Sequence, residues 1–207
     1  MRALILIDLQ NDYGAFGAAP IDGSEQLVFI ANRLMEHFDI VIASQDWHPA
    51  NHVRFAANHP WRHPGQVIEI NGNKQKLAII NCVQASFGAE LMGGLNEEKI
   101  EKRFYKGIDP KWDSYSAFFD INKKRDIGLK DWLQSKNIKE LYLLGLGLEK
   151  CVQFTVLDAL ELGITPIVIK DAVKTHLNDN SSAEKIFDDL QSQGALIVNA
   201  DEILRSV

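Results

Sequence analysis

The stretch LYLLGLGLEKCVQFTVLDAL, Leu141 to Leu160, decides the fold. It opens as a near-continuous apolar run, the pattern of a strand covered by helices on both faces. It closes with apolar residues at helical spacing through CVQFTVLDALELG. The run breaks at Gly145 and Gly147, and Cys151 follows that turn. Strand, glycine turn and helix in direct succession make the repeating unit of an open, mostly parallel α/β sheet.

The rest of the chain repeats the unit. ALILID (Ala3 to Asp8), IVIAS (Ile40 to Ser44), PIVIK (Pro166 to Lys170) and ALIVN (Ala195 to Asn199) read as further strands buried on both faces. KIEKRFYKG adds a more polar one around Ile100 to Tyr105. Between them, SEQLVFIANRLMEHF places Leu27, Ile30, Ala31 and Leu34 on one helical stripe, and DIGLKDWLQSKN is similar. SSAEKIFDDLQSQG offers Ser181 as helix cap, Glu184 as its capping-box partner and Gly194 as the stop. The expected architecture has three layers, an open sheet with helices on both faces. The segment Trp47 to Gly94 stands apart, rich in His, Pro, Gly and Asn, with one short helix expected near its end. Loops of that length in a compact domain are usually functional.

Composition narrows the function. The 207 residues suit a single domain, residues 1–207, with one sizeable core. Net charge is −6 and no basic cluster falls on an expected helix, which argues against nucleic-acid and anionic-membrane partners. The opening run MRALILID reaches Asp8 too soon for a signal-peptide core, and no apolar stretch approaches the roughly 20 residues of a membrane helix. Two cysteines, Cys82 and Cys151, make neither a disulfide framework nor a zinc cluster. A cytoplasmic protein is expected, and a homo-oligomer is compatible with it.

In open α/β sheets ligands bind beyond the carboxyl ends of the strands. Those ends carry Asp8, then Asp46 and His48, then Lys106, then the turn from Gly147 to Cys151. Cys151 reads either as a buried thiol filling space or as a nucleophile at a helix start, where free N–H groups lower its pKa. The N–H groups of Cys151 and Gly147 would then receive an oxyanion. Asp8 is a turn cap or a general base. Lys106 is a solvated lysine or the partner that holds Asp8 and raises the local positive potential. Asp46 and His48, two apart at a strand end, share a face and make a start for a metal site, with His52 four residues on. GLGLEK lacks the third glycine of a dinucleotide fingerprint.

With those residues in view, the chain resembles nicotinamidase/pyrazinamidase of the isochorismatase-like cysteine hydrolases. LILIDLQNDY, SQDWHPANHVRFA, NCVQASFGAEL, KGIDPKWDSYSAFFD, GLGLEKCVQFTVLDALELG and IVIKDAV carry the resemblance over nearly the whole length. It implies the isochorismatase-like hydrolase fold and a cysteine amidohydrolase that converts nicotinamide, or pyrazinamide as analogue, to the acid and ammonia in NAD salvage. It implies a triad of Cys151, Asp8 and Lys106, and an oxyanion hole of Gly147 and Cys151 after a cis peptide at Leu146–Gly147. It also implies a divalent ion (Zn, Fe or Mn) at Asp46 and His48 that orients the pyridine nitrogen, and substrate contacts from Tyr13, Ala78 and Tyr115.

The chain departs from the family pattern around the substrate and the ion. WPxHCVQGT has become AIINCVQAS, so Ala78 stands where the family has a tryptophan and Asn81 where it has a metal-binding histidine. ATDYC has become GLEKC. An amide oxygen is a weaker donor than imidazole, so the ion is expected to be held weakly, with His52 or His63 as substitute ligands. Two other readings stay open: a related cysteine hydrolase with a different amide or carbamoyl substrate, and a non-catalytic relative that binds a small ligand.

Overall fold

Six strands form one sheet in the computed structural model, which describes residues 2–70, 72–121, 123, 125–177 and 179–205. In chain order the elements are β1 (Arg2–Ile7), α1 (Gln26–Met35), β2 (Ile40–Asp46), β3 (Val67–Ile70), β4 (Asn73–Lys76) and β5 (Lys102–Lys106). There follow α2 (Leu129–Ser135), β6 (Glu140–Leu146), α3 (Gln153–Glu161), β7 (Thr165–Lys174), α4 (Asn180–Ser192), β8 (Leu196–Val198) and α5 (Ala200–Leu204). The sheet runs β5-β2-β1-β6-β7-β8 and every neighbouring pair is parallel.

Alternation along β1 sends Ala3, Ile5 and Ile7 to one face and Leu4 and Leu6 to the other. The first face packs under α2, α3 and α4 through Leu133, Val156 and Leu190. The second packs under α1 and α5 through Leu27, Leu34 and Ile203. Both faces are therefore core, which is why β2 is buried at every position and why its sequence shows no polar alternation. Gly145 marks the closest approach of two strands. It lies at φ +135°, and a Cβ there would stand 2.1 Å from the Ile7 carbonyl oxygen, so only glycine lets β6 pair with β1 up to the site edge.

Several elements differ from the sequence expectations. Trp47 to Gly94 contains a hairpin, β3 against β4. The cap of α4 is Asp179, whose carboxylate accepts from the Ser182 N–H; Asp179 outdoes Ser181 because it also takes the Ser181 hydroxyl at 2.7 Å. β7 continues past Lys170 to Lys174, and α5 follows β8 behind a capping box of Asn199 and Glu202. No helix among the described residues is long and apolar enough to cross a membrane.

Candidate active site

Four strand ends converge on the carboxyl edge. Asp8 follows β1 at φ +55°, a left-handed conformation that aspartate tolerates better than most residues. Its N–H donates to the Ser44 carbonyl at 3.1 Å, and the Ser44 hydroxyl donates to its Oδ1 at 3.2 Å. Asp46 ends β2 and is held from behind by Gln10, whose side-chain amide accepts from the Asp46 N–H and donates to its carbonyl. Register pairs Asp46 with Lys106, the last residue of β5.

Lys106 is fully buried and its ammonium is the hub of the cluster. Nζ lies 2.9 Å from Asp8 Oδ2 and 3.5 Å from Cys151 Sγ, and donates a short bond to Asp46 Oδ1. Burial opposes its charge, but Asp46 and Asp8 outweigh burial and hold its pKa well above the usual lysine value. Asp46 answers it: burial is overcome by Lys106, with His48 and Arg54 beside it, and the carboxyl is held well below the ordinary range. Asp8 is different. Burial is its largest influence, only partly offset by Lys106, and raises its pKa to about 6.

Cys151 does not sit in the first turn of an ordinary helix. Leu148–Val152 forms one wide turn of π-helix ahead of α3, with Gly147 left-handed before it. Burial dominates the thiol and pushes its pKa well above the usual value, with Lys106 pulling the other way and Asp8 adding to the rise. The expected lowering is thus corrected. At rest the proton belongs to sulfur, because a carboxylate beside a buried thiol disfavours a second negative charge.

Two backbone expectations are also corrected. No peptide bond among the described residues is cis, so Leu146–Gly147 is trans. The Gly147 N–H donates to the Lys174 carbonyl at 3.0 Å. It is therefore committed to the extended end of β7, and of the two expected oxyanion donors Cys151 N–H is the one left for that role.

The expected metal ligands come together only in part. His48 Nε2 lies 3.5 Å from Asp46 Oδ1. The Asn81 amide donates to the Tyr13 hydroxyl at 3.2 Å, Tyr13 donates to Asp46 Oδ2, and Asn81 Oδ1 has no hydrogen-bond partner among the described residues. His52 is no ligand here: its Nδ1 accepts from the Arg54 N–H and its Nε2 contacts the Trp112 carbonyl, each at 3.1 Å. Burial lowers its pKa to about 4. His63 is exposed in its loop. A different set, Asp8, Asp46 and Cys151, offers ligand atoms within 4.8 Å of one another, a spacing that can hold a metal ion. Lys106 Nζ touches all three of these residues.

The residue the sequence reading passed over is Arg54. Its Nη1 lies 2.9 Å from His48 Nε2, 3.5 Å from Asp113 Oδ1 and 3.9 Å from Asp46 Oδ2. A lone arginine in a polar loop reads as solvated, yet this side chain is only 12% exposed. Asp113, within the quoted KWDSYSAF, is its buried counter-charge and also accepts from Gln75 at 2.9 Å.

Part of this cluster lines one cavity of about 420 Å³. Cys151, Asp8, Tyr13, Ala78 and Tyr115 line it, with Arg54 on the wall. Tyr115 is braced by Phe154, ring centroids 5.5 Å apart, and by the Lys150 ammonium 5.3 Å over its ring. The arrangement can deprotonate a thiol inside a pocket sized for a small molecule and return that proton to a leaving group.

Comparison with known proteins agrees with this chemistry. A family model described as the isochorismatase domain matches residues 2–202. A nicotinamidase of Escherichia coli (strain K12) is 43% identical over 204 residues, covering 95% of this chain and 93% of that protein. Among solved structures, an Acinetobacter baumanii nicotinamidase pyrazinamidase superposes with a TM-score of 0.92 at 33% identity, covering 98% of this chain and 97% of that one. A Pyrococcus horikoshii pyrazinamidase in complex with zinc superposes with a TM-score of 0.76 at 28% identity, covering 96% of this chain and 98% of that one.

Proposed function

The chain belongs to the isochorismatase-domain family, and from that premise we propose that it hydrolyses nicotinamide to nicotinate and ammonia, a step of NAD salvage. The observation that carries the reading is the buried Lys106 ammonium in contact with both the Asp8 carboxylate and the Cys151 thiol, two residues that line one cavity.

The chemistry follows from those charges. Asp8, ionised above a pKa of about 6, accepts the Cys151 proton as the sulfur approaches the carboxamide carbon. Lys106 offsets the negative charge as it passes from carboxylate to sulfur. The new C–S bond pushes the carbonyl electron pair onto oxygen, where the Cys151 N–H donates to it; one such donor is typically worth about 3 kcal/mol. Collapse expels the amine, protonated by Asp8, as ammonia. Water then gives a proton to Asp8 and attacks the thioester, and the departing sulfur recovers that proton.

A divalent ion at Asp46, His48 and Asn81 would bind the pyridine nitrogen and polarise the ring. The residues as arranged do not fit one: the lone pair of His48 Nε2 meets Arg54, and Asp46 is engaged by Lys106 and Tyr13. No step above passes through an ion.

The test is ammonia release. Equimolar nicotinate and ammonia from nicotinamide is the expected result, with pyrazinamide accepted as well. Turnover of other amides or carbamoyl compounds without turnover of nicotinamide would overturn the substrate assignment.

A further inference from the structure

We propose that Arg54 is the resident cation of this site: its guanidinium holds the Asp46–His48 pair in the place of a divalent ion, which can enter only by displacing it.

The geometry of His48 comes first. Its Nδ1 lies 3.0 Å from the Gly107 carbonyl, so Nδ1 carries the proton and Nε2 presents a lone pair. A histidine that ligates a metal is held by the same backbone contact on its far nitrogen. Here the lone pair accepts from Arg54 Nη1 at 2.9 Å. A metal on that lone pair would sit about 2.1 Å from Nε2, inside the van der Waals volume of Nη1. Arg54 is also fixed through its backbone, whose N–H donates to His52 Nδ1 and whose carbonyl accepts from the Ala78 N–H at 2.7 Å.

Asp8, Asp46 and Asp113 are buried carboxylates, and Lys106 and Arg54 are the cations that contact them. The cluster is nearly balanced, so an added divalent ion would leave it positive in a poorly solvated site. Without Arg54 the same cluster would lack two positive charges, the charge of one divalent ion. Where the third ligand would be, Asn81 supplies only an uncharged amide oxygen, a weaker donor than imidazole. Arg54 Nε and Asn81 Oδ1 are both buried without a hydrogen-bond partner among the described residues, and both residues line the cavity.

The inference concerns how the site is charged and holds whatever amide is turned over. It is tested by titrating the full chain with zinc chloride and manganese chloride in calorimetry, with metal content measured by mass spectrometry after purification. The wild type should carry well under one equivalent of metal, and chelator should leave its turnover unchanged. Arg54→Ser combined with Asn81→His should bind zinc at least tenfold more tightly than the wild type. Asn81→His alone should gain little, because the guanidinium remains; a tight zinc site in that single variant would overturn the proposal. A wild type that keeps a full equivalent of metal through chelator treatment would overturn it too. Arg54→Lys keeps the charge opposite Asp113, and should fold and still bind zinc weakly even if Arg54→Ser does not fold. Should nicotinamide prove inert, the metal titrations still decide the role of Arg54.

Discussion

Asp46 and Lys106 are register partners at the ends of adjacent parallel strands, and their side chains form an ion pair closed off from solvent. A buried pair adds little over apolar residues of the same volume, but breaking one side is costly. Lys106→Met should therefore lower the unfolding free energy by about 3–5 kcal/mol, with two carboxylates left without their ammonium. Adding Asp46→Asn should recover part of that loss. Urea denaturation of the two variants checks this, and purely additive losses would contradict a shared ion pair.

The raised pKa of Asp8 sets an acid limb. Turnover requires the ionised carboxylate, so kcat/KM should rise with pH and level off above about 6. Asp8→Asn should cut kcat by at least ~10² and abolish that limb.

Stability should move the other way. A carboxyl whose folded pKa exceeds its unfolded one favours folding at low pH, and the benefit is lost as pH rises through about 6. Holding Asp8 ionised at pH 7 costs on the order of 3 kcal/mol. Asp8→Asn should thus melt higher than the wild type at pH 7 and lose most of that advantage near pH 4, as thermal scans at both values will show.

Cys151→Ala should abolish turnover and leave the fold intact, since the change removes one sulfur from the cavity wall. Iodoacetamide should label Cys151 before Cys82. Both thiols are raised by burial, but Cys151 opens to the cavity beside Lys106 while Cys82 is sealed in the core. Peptide mass spectrometry distinguishes them.

Gly107 supports His48 from behind. It lies at φ +65°, and a Cβ there would stand 2.2 Å from the His48 ring. Gly107→Ala should cost about 2–4 kcal/mol by overpacking and left-handed strain, and should shift the His48 ring resonances in NMR.

The sheet was legible because its strands are buried on both faces, so apolar runs alone marked Ile40 and Leu141 as strand positions. Asp8, Lys106 and Cys151 could be nominated because topology fixes which strand ends meet. Charge state could not be nominated: whether Cys151 is raised or lowered depends on burial, and one-dimensional spacing does not report it. Arg54 was missed for the same reason, since its importance lies in contacts with residues 48, 46 and 113. The hairpin had a local signal, Asn-Gly at residues 71–72 after the alternation Ile68, Glu69, Ile70, masked by the polar run Asn73 to Lys76 on its far side.

The strand order has a consequence for synthesis. β1 is made before both of its neighbours but lies inside the sheet, and the second of them, β6, begins only at Glu140. While the chain is being translated, β5, β2 and β1 can pair, but the far edge of β1 must wait for residues near 140 to leave the ribosome. In the interval that edge presents unpaired backbone N–H and C=O groups between apolar faces, the kind of surface that recruits chaperones or other nascent chains. Yield from expression should accordingly depend on elongation rate between residues 46 and 140 more than on mutations that leave β6 pairing intact.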